Sequence, residues 1–270
     1  MDTELHLTIH GGDIAIHSGN DGINTNEDKV SVTTINGGNL HIMAGLGVEG
    51  DGIDSNGYLV INGGTVVSAA HPASDAGLDS ELGSFIHGGT VVALGSTMDW
   101  AESDSEQVAM NLQFAAYQAP TDSIVVKTED GAEIFSYDPA QDKVLGDNAR
   151  QFMGAVISCP EFTQGETYAL YVGGQQMQFA GTDVRRGPGG HGFGGGKRPD
   201  GGEMPDNAPP EGFDGERPQW PEGEMPDNAP PEGFDGRMPE DLEGFSGEGS
   251  TLFYMQDKVN CFSGITAASE

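Results

Sequence analysis

Cationic side chains are scarce in this sequence: 11 lysines and arginines stand against 43 aspartates and glutamates, for a formal charge of −32. Through the first 100 residues Lys29 is the sole one. That balance argues against nucleic acid or an anionic membrane surface as a direct partner, because both are held by cations that displace counterions. Cysteine is equally sparse. Cys159 and Cys261 are the two in the chain, too few for a disulfide framework and in no zinc-binding spacing. Long apolar runs are missing, which excludes membrane insertion through an apolar helix. A leader is missing as well: Met1-Asp2-Thr3-Glu4 has neither a basic start nor an apolar stretch. The sequence opens inside a repeating pattern, at Leu5-His6-Leu7-Thr8-Ile9, so upstream coils and an export signal are expected to lie outside it.

What is present is a decorated Gly-Gly pair. Ile9-His10-Gly11-Gly12, Ile35-Asn36-Gly37-Gly38, Ile61-Asn62-Gly63-Gly64 and Ile86-His87-Gly88-Gly89 recur about every 26 residues. Aligned on that pair, Ile9, Ile35, Ile61 and Ile86 form one column, and Ile14, Leu40, Val66 and Val91 form another. Ile23, Ile53 and Leu78 make a third, inside the motifs Gly22-Ile23-Asn24, Gly52-Ile53-Asp54 and Gly77-Leu78-Asp79. In-phase apolar columns are what a stack of short strands needs when each coil buries only against its neighbours. The intervening His, Asn and Thr then point outward. The helical segments and Leu-x-x-Leu-x-Leu spacing of leucine-rich repeats do not occur. The pattern predicts an all-β chain whose residues 1–98 form a parallel β-helix of about four coils.

Beyond that point the register is lost and strand-like alternation persists, as in Val108–Phe114, Ser123–Lys127 and Thr167–Val172. Residues 99–186, together with 248–265, are expected to form a β-rich end domain covering one mouth of the solenoid, since an uncovered terminal coil offers an edge for aggregation. Residues 187–247 are different material. They hold 11 of the 15 prolines, and Glu203–Gly215 returns unchanged as Glu224–Gly236. Such an acidic Pro/Gly-rich stretch is expected to be a disordered insertion. Closing a loop of that length costs about 3.6 kcal/mol, which a stable domain can absorb.

Stacked coils bring equivalent residues to about 4.8 Å. Asn24, Asp54 and Asp79 then form one ladder, Asn26, Asn56 and Glu81 a second, and Asp21, Asp51 and Asp75 a third on the preceding turn. Two bare carboxylates at that spacing repel by about 1 kcal/mol in water and about 3.5 kcal/mol at an effective dielectric of 20. Calcium, which takes several oxygen ligands, would neutralise them. The alternative is that Asn and Asp serve the turns between strands, where their short side chains are tolerated. Catalytic signatures are lacking. Gly190-His191-Gly192 falls in the insertion, the coils hold no arginine, and neither cysteine has a recognisable base beside it. No enzyme is expected. Tyr58 and Trp100 are candidate platforms for sugar rings, whose apolar faces stack on aromatics; Trp220 in the insertion is a weaker one.

The run Gly50-Asp51-Gly52-Ile53-Asp54-Ser55-Asn56-Gly57, followed by Val60-Ile61-Asn62-Gly63-Gly64-Thr65-Val66, resembles the carbohydrate-binding family of clostridial right-handed parallel β-helix proteins. Val156-Ile157-Ser158-Cys159-Pro160-Glu161 and Val259-Asn260-Cys261-Phe262-Ser263-Gly264 resemble that family's downstream strands. The resemblance implies a right-handed, pectate-lyase-like fold that binds cellulose or polygalacturonate without cleaving it, with calcium bound. It also implies secretion. Carried over by position, it makes Asp51, Asp54, Asp75 and Asp79 metal-binding. Three departures stand out: Asn24 replaces an aspartate, Ala76 is interposed before Gly77, and Glu81 ends the third motif. Where small residues are expected in the two downstream strands this chain has Cys159 and Cys261, which would face one another as a disulfide in an oxidising location. The expected partner is polysaccharide of plant cell-wall type, with a structural adhesin or stalk and a lyase-like enzyme as alternatives.

Overall fold

The computed structural model describes residues 1–96, 99–142, 144–183 and 249–269. The whole of the expected insertion, residues 187–247, including Trp220 and Gly190-His191-Gly192, lies outside the described residues.

Twelve strands build four coils of three. The first coil is β1 (Asp2–Thr3), β2 (His6–Ile9) and β3 (Asp13–His17); the second is β4 (Ile23–Thr25), β5 (Val32–Ile35) and β6 (Asn39–Met43). The third is β7 (Ile53–Ser55), β8 (Tyr58–Ile61) and β9 (Thr65–Ala69), and the fourth is β10 (Leu78–Ser80), β11 (Gly83–Ile86) and β12 (Thr90–Gly95). Each strand pairs in parallel with its equivalent one coil away, giving the stacks β1-β4-β7-β10, β2-β5-β8-β11 and β3-β6-β9-β12. Ile9, Ile35, Ile61 and Ile86 fall opposite one another, as do Ile14, Leu40, Val66 and Val91. Ile23, Ile53 and Leu78 stack likewise. These columns line one interior cluster in which the middle coils are fully enclosed. The solenoid expected from the repeat is therefore present.

The interior is not wholly apolar. The Thr25 hydroxyl donates to Ser55 Oγ at 2.9 Å, and Ser55 in turn donates to the Tyr58 carbonyl at 3.0 Å. Both residues are fully buried, so this chain of hydroxyls avoids the cost of orphaned polar atoms. Backbones approach closely where each coil turns. A Cβ on Gly52 would sit 1.9 Å from Ser68 Oγ and 2.4 Å from the Gly77 carbonyl, whereas one on Gly11 would meet nothing within 4 Å. Gly52→Ala should therefore cost about 1–3 kcal/mol, as overpacking does, while Gly11→Ala should be near neutral. Paired thermal melts check this; equal melting temperatures would contradict the packing described.

The end region comprises β13 (Ala109–Gln118), β14 (Ile124–Thr128), β15 (Glu133–Tyr137), β16 (Phe152–Ser158), β17 (Thr167–Val172), β18 (Gln175–Gln178), β19 (Gly181–Asp183), β20 (Leu252–Tyr254) and β21 (Val259–Ala267). It continues a solenoid face. Strand β16 runs antiparallel to β12 on one side and to β13 on the other, so the third stack extends into a 13-stranded sheet. That pairing occupies the hydrogen-bonding edge which β12 of the last coil would otherwise expose. Strand β21, beyond residue 248, lies between β13 and β18, which makes the returning segment integral to the sheet. A second apolar cluster, including Phe114, Phe152, Phe253 and Phe262, sits beneath this region and reaches Val67 and Val92 of the coils.

The expected disulfide is not formed. Cys159 and Cys261 remain thiols, because their strands flank β13 on opposite sides. Ser158, next to Cys159, pairs with Ala109, while Cys261 pairs with Asn111. Two strand spacings put the backbones about 9.5 Å apart, beyond the roughly 7 Å that a disulfide can bridge. Burial pushes the Cys159 thiol up to about 12, so it is an inert packing residue.

Candidate functional site

The acidic residues converge on the outer face of the β1-β4-β7-β10 stack and the turn before it. Register places Asp2, Asn24, Asp54 and Asp79 in one column. On the preceding turn, Asp21 Oδ1 accepts the Asp51 N–H at 3.0 Å, and Asp51 Oδ1 accepts the Ala76 N–H at 2.6 Å. Each carboxylate thus holds the backbone of the next coil by one oxygen. Ligand oxygens of Asp21, Asp51 and Asp54 all lie within 4.8 Å of one another.

Asn24 supplies a further oxygen. Its amide donates to Asp21 Oδ2 at 3.1 Å, and its Oδ1 is buried with no hydrogen-bond partner. A buried acceptor without a donor costs about 1–3 kcal/mol. A hard cation among three carboxylates would satisfy it, and a protein donor would not relieve the charge. The donor set is all oxygen, as calcium requires, so these residues fit the ion that the sequence resemblance implies.

The electrostatics agree. Burial, with the charges of Asp79, Asp75 and Asp54, pushes Asp51 up to about 8 despite the opposing Ala76 hydrogen bond. Asp54 is raised to about 7 by burial and by Asp79 and Asp21. Asp99 is raised to about 9, by burial first and then by its hydrogen bond to Asp79. Without a counter-cation this face resists ionisation.

Not every expected residue joins the cluster. Asp75 lies one position out of column: the interposed Ala76 takes its level, and Asp75 Oδ2 instead accepts the Gly50 N–H at 2.9 Å and the Ser74 hydroxyl at 3.0 Å. Asn56 is on the other flank, donating to the Asn26 carbonyl and to Asp28. Glu81 faces Lys29 at 3.8 Å. Asp99 was missed by sequence reasoning, because it follows the last coil and belongs to no repeat. Its neighbour Trp100 is 9% exposed and packs in the solenoid core, where it covers the last coil and cannot serve as a sugar platform. Tyr58 keeps the other role open: it is 42% exposed on the outer face of the β2-β5-β8-β11 stack.

Fold and site together define a parallel β-solenoid carrying an acidic cluster on one face and an exposed aromatic on another. A protein-family model described as carbohydrate-binding domain-containing protein matches residues 2–144, more than half of the chain, and the protein belongs to that family. The curated proteins and the solved structures gave no match. No helix among the described residues is long and apolar enough to cross a membrane.

Proposed function

We propose that the protein is a non-catalytic, extracellular or cell-surface polysaccharide-binding module, ordered by calcium and directed to glycans of plant cell-wall type. Membership of the carbohydrate-binding family carries this reading. The convergence of Asp21, Asp51 and Asp54, with the unpartnered oxygen of Asn24 on a side chain hydrogen-bonded to Asp21, supports the calcium part. Those four residues would hold the ion, which supplies positive charge at the cluster. Asp21 and Asp51 each keep one oxygen on the backbone of the next coil, so binding at the cluster and coil stacking are coupled.

The net charge divides the possible ligands. A chain at −32 repels polyuronates, so their binding requires a bridging cation and disappears in chelator. Neutral glucans that stack on aromatics bind with or without calcium. A glycan array probed with and without chelator tests the reading: binding to cell-wall glycans is expected, with the acidic ones lost in chelator. An array without a single ligand would leave an adhesin or stalk as the better account. Appearance of unsaturated uronate absorbance on pectate would revive the lyase alternative.

A further inference from the structure

The face formed by β2, β5, β8 and β11 differs from the rest of this acidic chain. Its outward residues are His6 and Thr8, Val32 and Thr34, Tyr58 and Val60, and Gly83 and Phe85, without one carboxylate among them. The next position along each coil adds His10, Asn36, Asn62 and His87. There Asn62 donates to Asn36 Oδ1 at 2.8 Å, and Asn36 lies 3.2 Å from His10 Nδ1. Gly83 leaves room for the Phe85 ring and for the stem of Glu102: a Cβ there would meet Glu102 Cγ at 2.9 Å and the ring at 3.1 Å. The ring thereby reaches Tyr58 on the neighbouring coil at 6.0 Å between centroids, and His87 lies 6.3 Å from it, the rings tilted by 53° and 31°. Successive pyranose rings of a β-linked chain are spaced on this scale.

The strip leads into a cleft. His87 also lines a depression of about 440 Å³ between the last coil and the end region, with Glu106, Gln107, Thr163, Gln164 and Lys258 around it. His87 Nδ1 accepts the Glu106 N–H at 3.2 Å, which leaves Nε2–H as a donor. The Lys258 amine reaches the Glu106 carbonyl at 2.8 Å. Amide, hydroxyl, carboxylate and amine groups beside aromatic faces suit the hydroxyls and the apolar face of an uncharged sugar.

We propose that Tyr58, Phe85 and His87 form a stacking track for a neutral β-linked glycan chain, one end of which enters the cleft beside Lys258. The inference rests on the glycan-binding reading and assigns it a site remote from the acidic cluster. The chain's charge of −32, with Glu102 packed against Gly83 and Glu106 in the cleft, repels a uronate and favours a neutral polymer.

Calorimetric titration with cellohexaose, on the full chain, tests it. Tyr58→Ala and Phe85→Ala are each expected to weaken binding about tenfold, the scale of one lost aromatic contact. Tyr58→Phe should retain it, chelator should leave it unchanged, and Tyr117→Ala, a similarly exposed tyrosine on β13, should have no effect. Melting curves of each variant separate loss of binding from loss of folding. Cellohexaose bound equally by wild type and both alanine variants overturns the track. Failure of wild type to bind cellohexaose overturns it too, and the wider reading stands or falls with the other glycans on the array.

Discussion

In excess chelator the protein is expected to lose stability steadily as pH rises from about 4 to about 9, and calcium should abolish most of that loss. The physical cause is the raised proton affinity of Asp54, Asp51 and Asp99, at about 7, 8 and 9. An unfolded aspartate ionises near 3.9. Between that value and the folded values the native state holds more protons than the unfolded state, so stability falls with increasing pH. Below about pH 4 all three are protonated in both states and the penalty vanishes. Calcium competes with those protons, so its effect should be small at pH 5 and large at pH 8. At a hundredfold excess over its dissociation constant, one ion adds about 2.7 kcal/mol, or roughly 5–10 °C in melting temperature for a chain of this size. Melts in calcium and in chelator at several pH values measure it. A flat profile in chelator, or a calcium shift equal at both pH values, would count against the cluster as a cation site.

The second large effect is an inversion. The double variant Asp51→Asn/Asp54→Asn should be more stable than wild type in chelator at pH 8, and less stable than wild type in calcium. Asparagine preserves the oxygen that accepts the Ala76 N–H, so the hold on the next coil survives while the like charge is removed. The expected gain in chelator is about 1–3.5 kcal/mol, spanning two charges at 4.8 Å in water and at a dielectric of 20. Loss of the calcium response accompanies it. If the variant instead melts lower under both conditions, the carboxylates are serving the turns, as aspartates commonly do, and the metal reading fails.

The two faces are expected to respond independently. Chelation would act at the proposed ion site of Asp21, Asp51 and Asp54, while the Tyr58–Phe85 strip lies on a different stack of strands. A neutral glycan bound in chelator, together with a uronate bound in calcium alone, would establish two modes of recognition on one solenoid.

The coils are legible in the repeat alone. An in-phase column such as Ile9, Ile35, Ile61 and Ile86 has one economical solution, because each isoleucine can be buried only against its equivalent one turn away. The Asp54–Asp79 pairing followed from the same register. Asp75 did not follow it: expected in the ladder, it is pushed out of level by the single extra residue Ala76, whose N–H takes the place on Asp51. Tertiary structure decided whatever depends on chain outside the repeat. Asp99 joins Asp79, and Trp100 is buried beside it, because the stretch from residue 99 stacks on the last coil, with Ala101 pairing in parallel with Ser84. Cys159 and Cys261 stay apart because β13 intervenes between their strands. The Phe85 ring meets Tyr58 because Gly83 leaves room for it. Periodicity transmits information only between positions related by the period; long-range pairing such as β12 with β16 follows from how the remaining apolar surface is covered, which no local pattern encodes.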